Sequence, residues 1–199
     1  MAALVLVGSA TYAYFSDAGA SNDNVFNSGS LDMKLTDADE TAPVDSVSGT
    51  WGLASAPGDT FTGTLFVRNS GSVAANHIEL KFTNVVTDAG SPPGLTSTTP
   101  MDRVIEVTAF GWDTDGNGVT DVDLLPGVSN INANGIIDLD DLENQSADDF
   151  DNLSYGGTQT ADHALVISGR LHPTLAVDEH QGDSVNMTAD VTMNQDSSQ

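Results

Sequence analysis

Apolar and polar residues alternate with a period of two in several separated stretches, the pattern of strands with one face buried. Leu31, Met33 and Leu35 alternate with Asp32 and Lys34. In the next stretch Phe61, Gly63, Leu65 and Val67 share one face, and Thr62, Thr64, Phe66 and Arg68 share the other. Ile78, Leu80 and Phe82 form a third apolar stripe against Glu79 and Lys81. Residues 103–112 and 163–171 each resume a strand, and Val185, Met187, Ala189, Val191 and Met193 place a last stripe on one face. Between them lie turn formers: Ala56-Pro57-Gly58-Asp59, Asn69-Ser70-Gly71-Ser72 and the proline-containing residues 91–100. Six or seven short antiparallel strands joined by such turns predict an all-β fold, a jelly-roll-like antiparallel β-sandwich.

From 113 to 149 the alternation stops, and the stretch reads as a small acidic, partly helical insertion between two sheet strands. Three segments, 123–131, 135–145 and 147–153, the last running past its end, are each predicted to form a single helical turn. Asp113, Asp115, Asn117 and Asp121 occupy positions 1, 3, 5 and 9 of an EF-hand or dockerin-type calcium loop, with Gly118 at position 6. Side-chain oxygens on alternate residues of a tight turn converge, glycine permits the bend, and Val119 at position 7 supplies a backbone carbonyl. Position 12 is Leu124, so the bidentate acid is missing there, and Asp123 falls one residue early. Seventeen residues on, Asn130, Asn132, Asn134, Gly135, Asp138 and Asp141 repeat the phrase, with Asp141 at position 12. The pair predicts Ca2+ as the bound ion. The competing reading is a pair of acidic surface turns in a chain that is acidic throughout, with Asn-Gly and Asp-Gly present as turn formers.

The N-terminal stretch has another character. An apolar run, Met1 to Val7, is followed by small residues up to Ala13, which suits a signal-peptide remnant cleaved near Ala13. The alternative is a buried first strand. The run is far shorter than the ~20 residues that span a bilayer, so the mature chain is expected to carry no stable transmembrane span. The expected organisation is therefore residues 1–13 as the remnant, 14–24 as an N-terminal segment and linker, 25–112 as the first part of the sandwich, 113–149 as the insertion and 150–199 as the last part.

Charge narrows the partners. The chain has 29 acidic residues against five Lys plus Arg, a formal charge of −24. Nucleic acid and anionic bilayer surfaces are repelled by such a chain. Cations, basic surfaces and further copies of itself remain, the last where salt screens the repulsion, as in a halophile's medium. There is no cysteine, which excludes disulfides, thiolate metal sites and cysteine nucleophiles. The four histidines are dispersed, and no HExxH, GxSxG or glycine-rich phosphate loop occurs, so no enzyme is expected.

The order of motifs resembles the TasA/camelysin family, whose precursors are processed by a SipW-type signal peptidase. The resemblance rests on Ala13, Phe15 and Asp17 at the junction; on Phe26, Ser28, Gly29, Leu31, Asp32 and Met33; on Pro57, Gly58 and Asp59; and on Asn69, Gly71 and Ser72. It covers the first 85 residues, and the insertion has no place in it. The resemblance implies an extracellular jelly-roll subunit of matrix fibres or pili, in which the freed N-terminal segment of one subunit completes the sheet of the next. The camelysin branch has been regarded as metalloprotease-like, but this chain lacks a zinc motif and that role is not carried over. The implied partners are copies of the chain in a homopolymer and the signal peptidase of maturation. Tyr14 and Phe15 would lead the donated segment, with Val25 and Phe26 as further anchors. The alternative is a monomeric calcium-dependent cell-surface adhesion module.

Overall fold

Eight strands form two antiparallel sheets, and the computed structural model describes residues 29–36, 42, 44–48, 56–89, 98–147, 150, 152–154 and 162–196. Tyr14, Phe15, Val25 and Phe26 lie outside the described residues, as does the expected signal remnant. The strands are β1 (Met33–Thr36), β2 (Thr60–Asn69), β3 (His77–Thr87), β4 (Ile105–Asp113), β5 (Val122–Asp123), β6 (Ser146–Ala147), β7 (His163–Leu171) and β8 (Ser184–Asn194). One sheet has the order β1-β2-β7-β4-β5 and the other β6-β3-β8. The all-β sandwich expected from the alternation is the fold observed.

The predicted stripes are the faces that meet. Gly63, Leu65 and Val67 are buried on β2, and Ile78, Leu80 and Phe82 on β3. Between the sheets they join Phe110, Trp112, Leu165 and Ile167 in one core. Phe82 and Phe110 meet edge to face at 5.6 Å between ring centroids, and Trp112 and Phe150 do so at 5.1 Å. Each large apolar side chain buried here contributes about 1.5–3 kcal/mol. Of the five basic residues, Arg68 pairs bidentately with the buried Asp162, with both N–O distances 2.6 Å.

The sheets differ at their margins. β3 and β8 pair along eleven residues each, from His77↔Asn194 to Thr87↔Ser184. On the far side of β8 no further strand pairs with it among the described residues, so it forms the edge of its sheet. Its inward positions Val185, Met187, Ala189 and Met193 are half-buried, and Val191 is buried. Among the described residues β3 pairs on its other side at Leu80 and Lys81, with β6.

The stretch from 113 to 147 leaves β4, contributes β5 back to the same sheet and β6 to the other, and runs on towards β7. Of the three helical turns expected in it, Leu125–Gly127 is a 3-10 turn and α1 (Leu139–Glu143) is a short helix. The third is not formed at Ala147, which pairs with Leu80 in β6; a free strand edge satisfies its backbone better than an isolated turn. Leu139 and Leu142 of α1 are buried in the common core, and Asn84 on β3 donates to the Leu139 carbonyl at 2.7 Å.

Candidate metal centre

The first acidic loop begins where β4 leaves the core. Trp112 is fully buried and Asp113 beside it is fully buried as well, so the first residue of the loop is held by the strand. The Asp113 carboxylate accepts from the backbone N–H groups of Asp115 (3.1 Å), Gly116 (2.8 Å) and Gly118 (2.7 Å). Asp115 in turn accepts from Asn117 N–H at 3.1 Å, and Asn117 accepts from Val119 N–H at 2.7 Å. Gly116 and Gly118 take φ of +69° and +86°, the left-handed region that bends the loop inward. A side chain at Gly116 would also strike the Asp162 carbonyl, 2.4 Å from its Cβ position.

Asp121 closes the loop. It accepts from the Thr114 hydroxyl at 2.6 Å and from Thr114 N–H at 2.9 Å. Those two bonds, the hydroxyl first, hold its carboxyl below the usual carboxylate range. One oxygen each from Asp113, Asp115 and Asp121 comes within 4.8 Å of the others. Oxygens bound to one Ca2+ at about 2.4 Å lie no further apart than that. Asn117 sits at the exposed turn, and the Val119 side chain is exposed. Asp123 stands apart from this group, accepting from Leu125 N–H at 3.1 Å at the start of the 3-10 turn.

The second loop repeats the backbone of the first. Asn132 accepts from Asn134 N–H (3.1 Å) and Asn134 from Ile136 N–H (3.0 Å), the bonds that Asp115 and Asn117 make one loop earlier. Gly135, at position 6, has φ of +95°, and Ala133, at position 4, has φ of +58° where the first loop has Gly116. A left-handed alanine costs about 1–2 kcal/mol, so the loop imposes this conformation against local preference.

Its interior chemistry differs. The Nδ2 groups of Asn132 and Asn134 both donate to Asp138 Oδ2, at 2.9 Å and 2.6 Å. Asp141 accepts from Ile131 N–H at 2.8 Å, and it and Asp138 each accept the other's backbone N–H in a capping box that starts α1. Asp138 and Asp141 are fully buried. Burial pushes the Asp138 carboxyl up, against the pull of its bonds from Asn132, Asp141 and Asn134. Asn130 Oδ1, at position 1, is buried with no hydrogen-bond partner. The loop is tied to the sheet by Val107 N–H, which donates to the Ile137 carbonyl at 2.8 Å.

The motif spacing did not single out Asp102, Asp140 and Glu143. Oxygens from these three also approach within 4.8 Å of one another, and Asp140 belongs in addition to a group with Asp138 and Asp141. A spacing of three on a short helix, Asp140 to Glu143, was the only hint in the chain; Asp102 arrives from a distant turn.

The histidines do not join these groups. His77 bonds Glu79 (3.1 Å) and the Asp196 carbonyl (2.8 Å), and His180 lies against the Thr99 carbonyl at 3.0 Å. His163 is 3.4 Å from Trp112 Nε1, and His172 is held by the turn at Thr174 and Leu175. The three converging groups among the described residues are carboxylates only. All-oxygen donors suit hard cations such as Ca2+ and Mg2+ and do not match the nitrogen-rich ligand sets of zinc peptidases.

Among the described residues no helix is long and apolar enough to cross a membrane. No curated protein sequence matches the chain. The sequence pattern of the family described as camelysin metallo-endopeptidase matches residues 1–115, which is more than half of the chain. The chain belongs to that family, the TasA/camelysin family, and with it to secreted, cell-surface or filament-related proteins.

Proposed function

We propose that the protein is the structural subunit of an extracellular filament or pilus that polymerises head-to-tail. Residues 14–24 of one subunit, led by Tyr14 and Phe15, are donated to the sandwich of the next, with Val25 and Phe26 as anchors. The observation that carries this reading is β8: eleven residues of regular strand that end a sheet with no partner on their outer side among the described residues. A long bare edge offers a row of backbone donors and acceptors that folded proteins normally cover. An added strand supplies backbone bonds for affinity and alternating side chains for register. Donor and acceptor are different surfaces, so the contact propagates instead of closing into a dimer. The half-buried Val185, Met187, Ala189 and Met193 are an inward row that one more strand would cover further.

Family membership supports a secreted or filament-related role, and the family's description also names a metallo-endopeptidase. The converging groups fit that second description poorly. They are carboxylate sets without histidine, and no peptidase step is derived from them. Calcium, held by the loops at 113–121 and 130–141, is assigned a structural part. In the first loop Asp113, Asp115, Asn117, Asp121 and the Val119 carbonyl would hold the ion; in the second Asn130, Asn132, Asn134, Asp138 and Asp141 would. The orphaned Asn130 Oδ1 supports the second site. The charge of −24 calls for salt or divalent cations before copies can approach one another.

Deletion of residues 14–20 from the mature chain tests the reading by negative-stain microscopy. Soluble single particles are expected, and filaments of normal length would reject it. If the full mature chain itself forms only single particles in calcium and high salt, the adhesion-module alternative takes its place. Proteolysis of a casein gel that is abolished by chelator would return the peptidase role.

A further inference from the structure

Outside both loops, Asp102 presents a charge problem. It lies in the 3-10 turn Met101–Arg103 that leads into β4, with only 6% of its surface exposed. Its Oδ1 is buried without a hydrogen-bond partner. A buried carboxylate oxygen with no donor is costly, and folded chains seldom leave one uncompensated. The groups facing it make matters worse. Asp140 and Glu143, one turn apart on α1, bring their oxygens within 4.8 Å of it and of each other.

One guanidinium serves this cluster. Arg103 Nε lies 3.1 Å from Asp140 Oδ2, and that same oxygen also receives Asn132 Nδ2 at 3.2 Å. Three carboxylates against one arginine leave two negative charges, which equals the charge of a single divalent ion. Burial first, and then the Asp140 charge, push the Asp102 carboxyl above its ordinary range, opposed by Arg103.

We propose that Asp102, Asp140 and Glu143 bind a hard divalent cation of the Ca2+ type, a third site that adjoins the second loop through Asp140. Three carboxylates supply at least three of the six to eight oxygens that Ca2+ takes, and water supplies the rest. The ion joins the turn before β4 to α1, and so clamps the acidic insertion to the five-stranded sheet. The site stands on its own geometry and does not depend on strand donation or on the first loop.

Calcium titration of the full chain by calorimetry, with CaCl2 as the only added divalent salt, tests it. Asp102→Asn should bind one ion fewer per chain than the parent. Glu143→Gln should weaken the same ion about tenfold or more, since affinity follows the number of charged ligands. In chelator, Asp102→Asn should melt above the parent because the uncompensated charge is gone; in saturating calcium that advantage should shrink or reverse. Asp113→Ala plus Asp115→Ala should leave this ion bound, so loss of the first loop and loss of this site are read separately. Unchanged stoichiometry and affinity in both Asp102→Asn and Glu143→Gln would overturn the proposal. Should Asp102→Asn fail to fold, Glu143→Gln decides alone, because its side chain is only half-buried.

Discussion

At one margin of the sandwich the five-stranded sheet ends in β5, a strand of two residues paired only with Gly111 and Trp112. The loop that joins it to β4 carries Asp113, Asp115 and Asp121. At the margin of the other sheet β8 offers eleven residues in regular alternation. The first edge is short and preceded by negative charge, two of the devices by which sheets avoid pairing with strangers. The second has its only Asp, Asp190, on the outward face, and its inward positions are apolar. The contrast sets β8 apart as the edge on which the proposed strand donation would act. Chain added at β5 would meet a carboxylate loop, whereas chain added at β8 would extend an apolar face.

The comparison breaks most visibly if a free donor competes with the tethered one. A synthetic peptide of residues 14–26, added in molar excess to the mature chain, should occupy acceptor edges and stop filament growth. Microscopy of fibre length against peptide concentration checks this, and a scrambled peptide should leave length unchanged.

Next in size is the tie between insertion and sandwich. Leu142→Ala removes a side chain that is 1% exposed and should cost about 2–5 kcal/mol in denaturant unfolding. The loss should fall on the sandwich as well as on the insertion, because Leu142 belongs to the common core. An insertion that melts alone, with β8 and β3 unaffected in hydrogen exchange, would show the two margins to be independent.

Removal of the acids at the blocked edge comes third. Asp113→Ala plus Asp115→Ala takes the acceptor from four backbone N–H groups and should cost about 1–3 kcal/mol. It should also abolish one saturable calcium site, read by titration. Filament formation through β8 should survive where calcium is supplied to the remaining sites. The smallest effect is expected at Ala133, whose left-handed φ of +58° is relieved by glycine. Ala133→Gly should stabilise the second loop by about 1 kcal/mol in thermal unfolding, and Gly116→Ala, the reciprocal change, should destabilise the first by more, since its Cβ meets a carbonyl.

Much of this architecture was legible in the residues. Period two in 61–68, 78–82 and 185–193 marked faces that are indeed turned to the core, because a half-buried strand leaves its environment in every second residue. The calcium-loop spacing at 113–121 likewise foretold a turn whose oxygens converge, since the Asx bonds are local and follow from sequence distance. What the spacing could not reach was long-range. Asp102 meets Asp140 and Glu143 only because β4 and the insertion fold back on each other, and no local period records that meeting. Ala147 was read with a helical phrase, yet with Ser146 it completes a ladder with Leu80 and Lys81, more than sixty residues earlier. Nor does spacing tell that Asn132 and Asn134 turn their amide nitrogens towards Asp138, which separates the second loop from the first in chemistry while the backbone stays the same.

The central claim is that the donated segment pairs with the outer edge of β8 in the neighbouring subunit. The chain has no cysteine, so introduced thiols report that contact without background. Ser16→Cys can be combined in turn with Asn186→Cys, Thr188→Cys, Asp190→Cys or Thr192→Cys, all exposed positions of β8. A disulfide closes only when the Cα atoms lie within about 4.4–6.8 Å, so oxidation reads register as well as proximity. The account predicts a ladder of covalent oligomers for one or two neighbouring β8 positions and none for the rest. Intact filaments that yield no ladder at any of the four positions would contradict it.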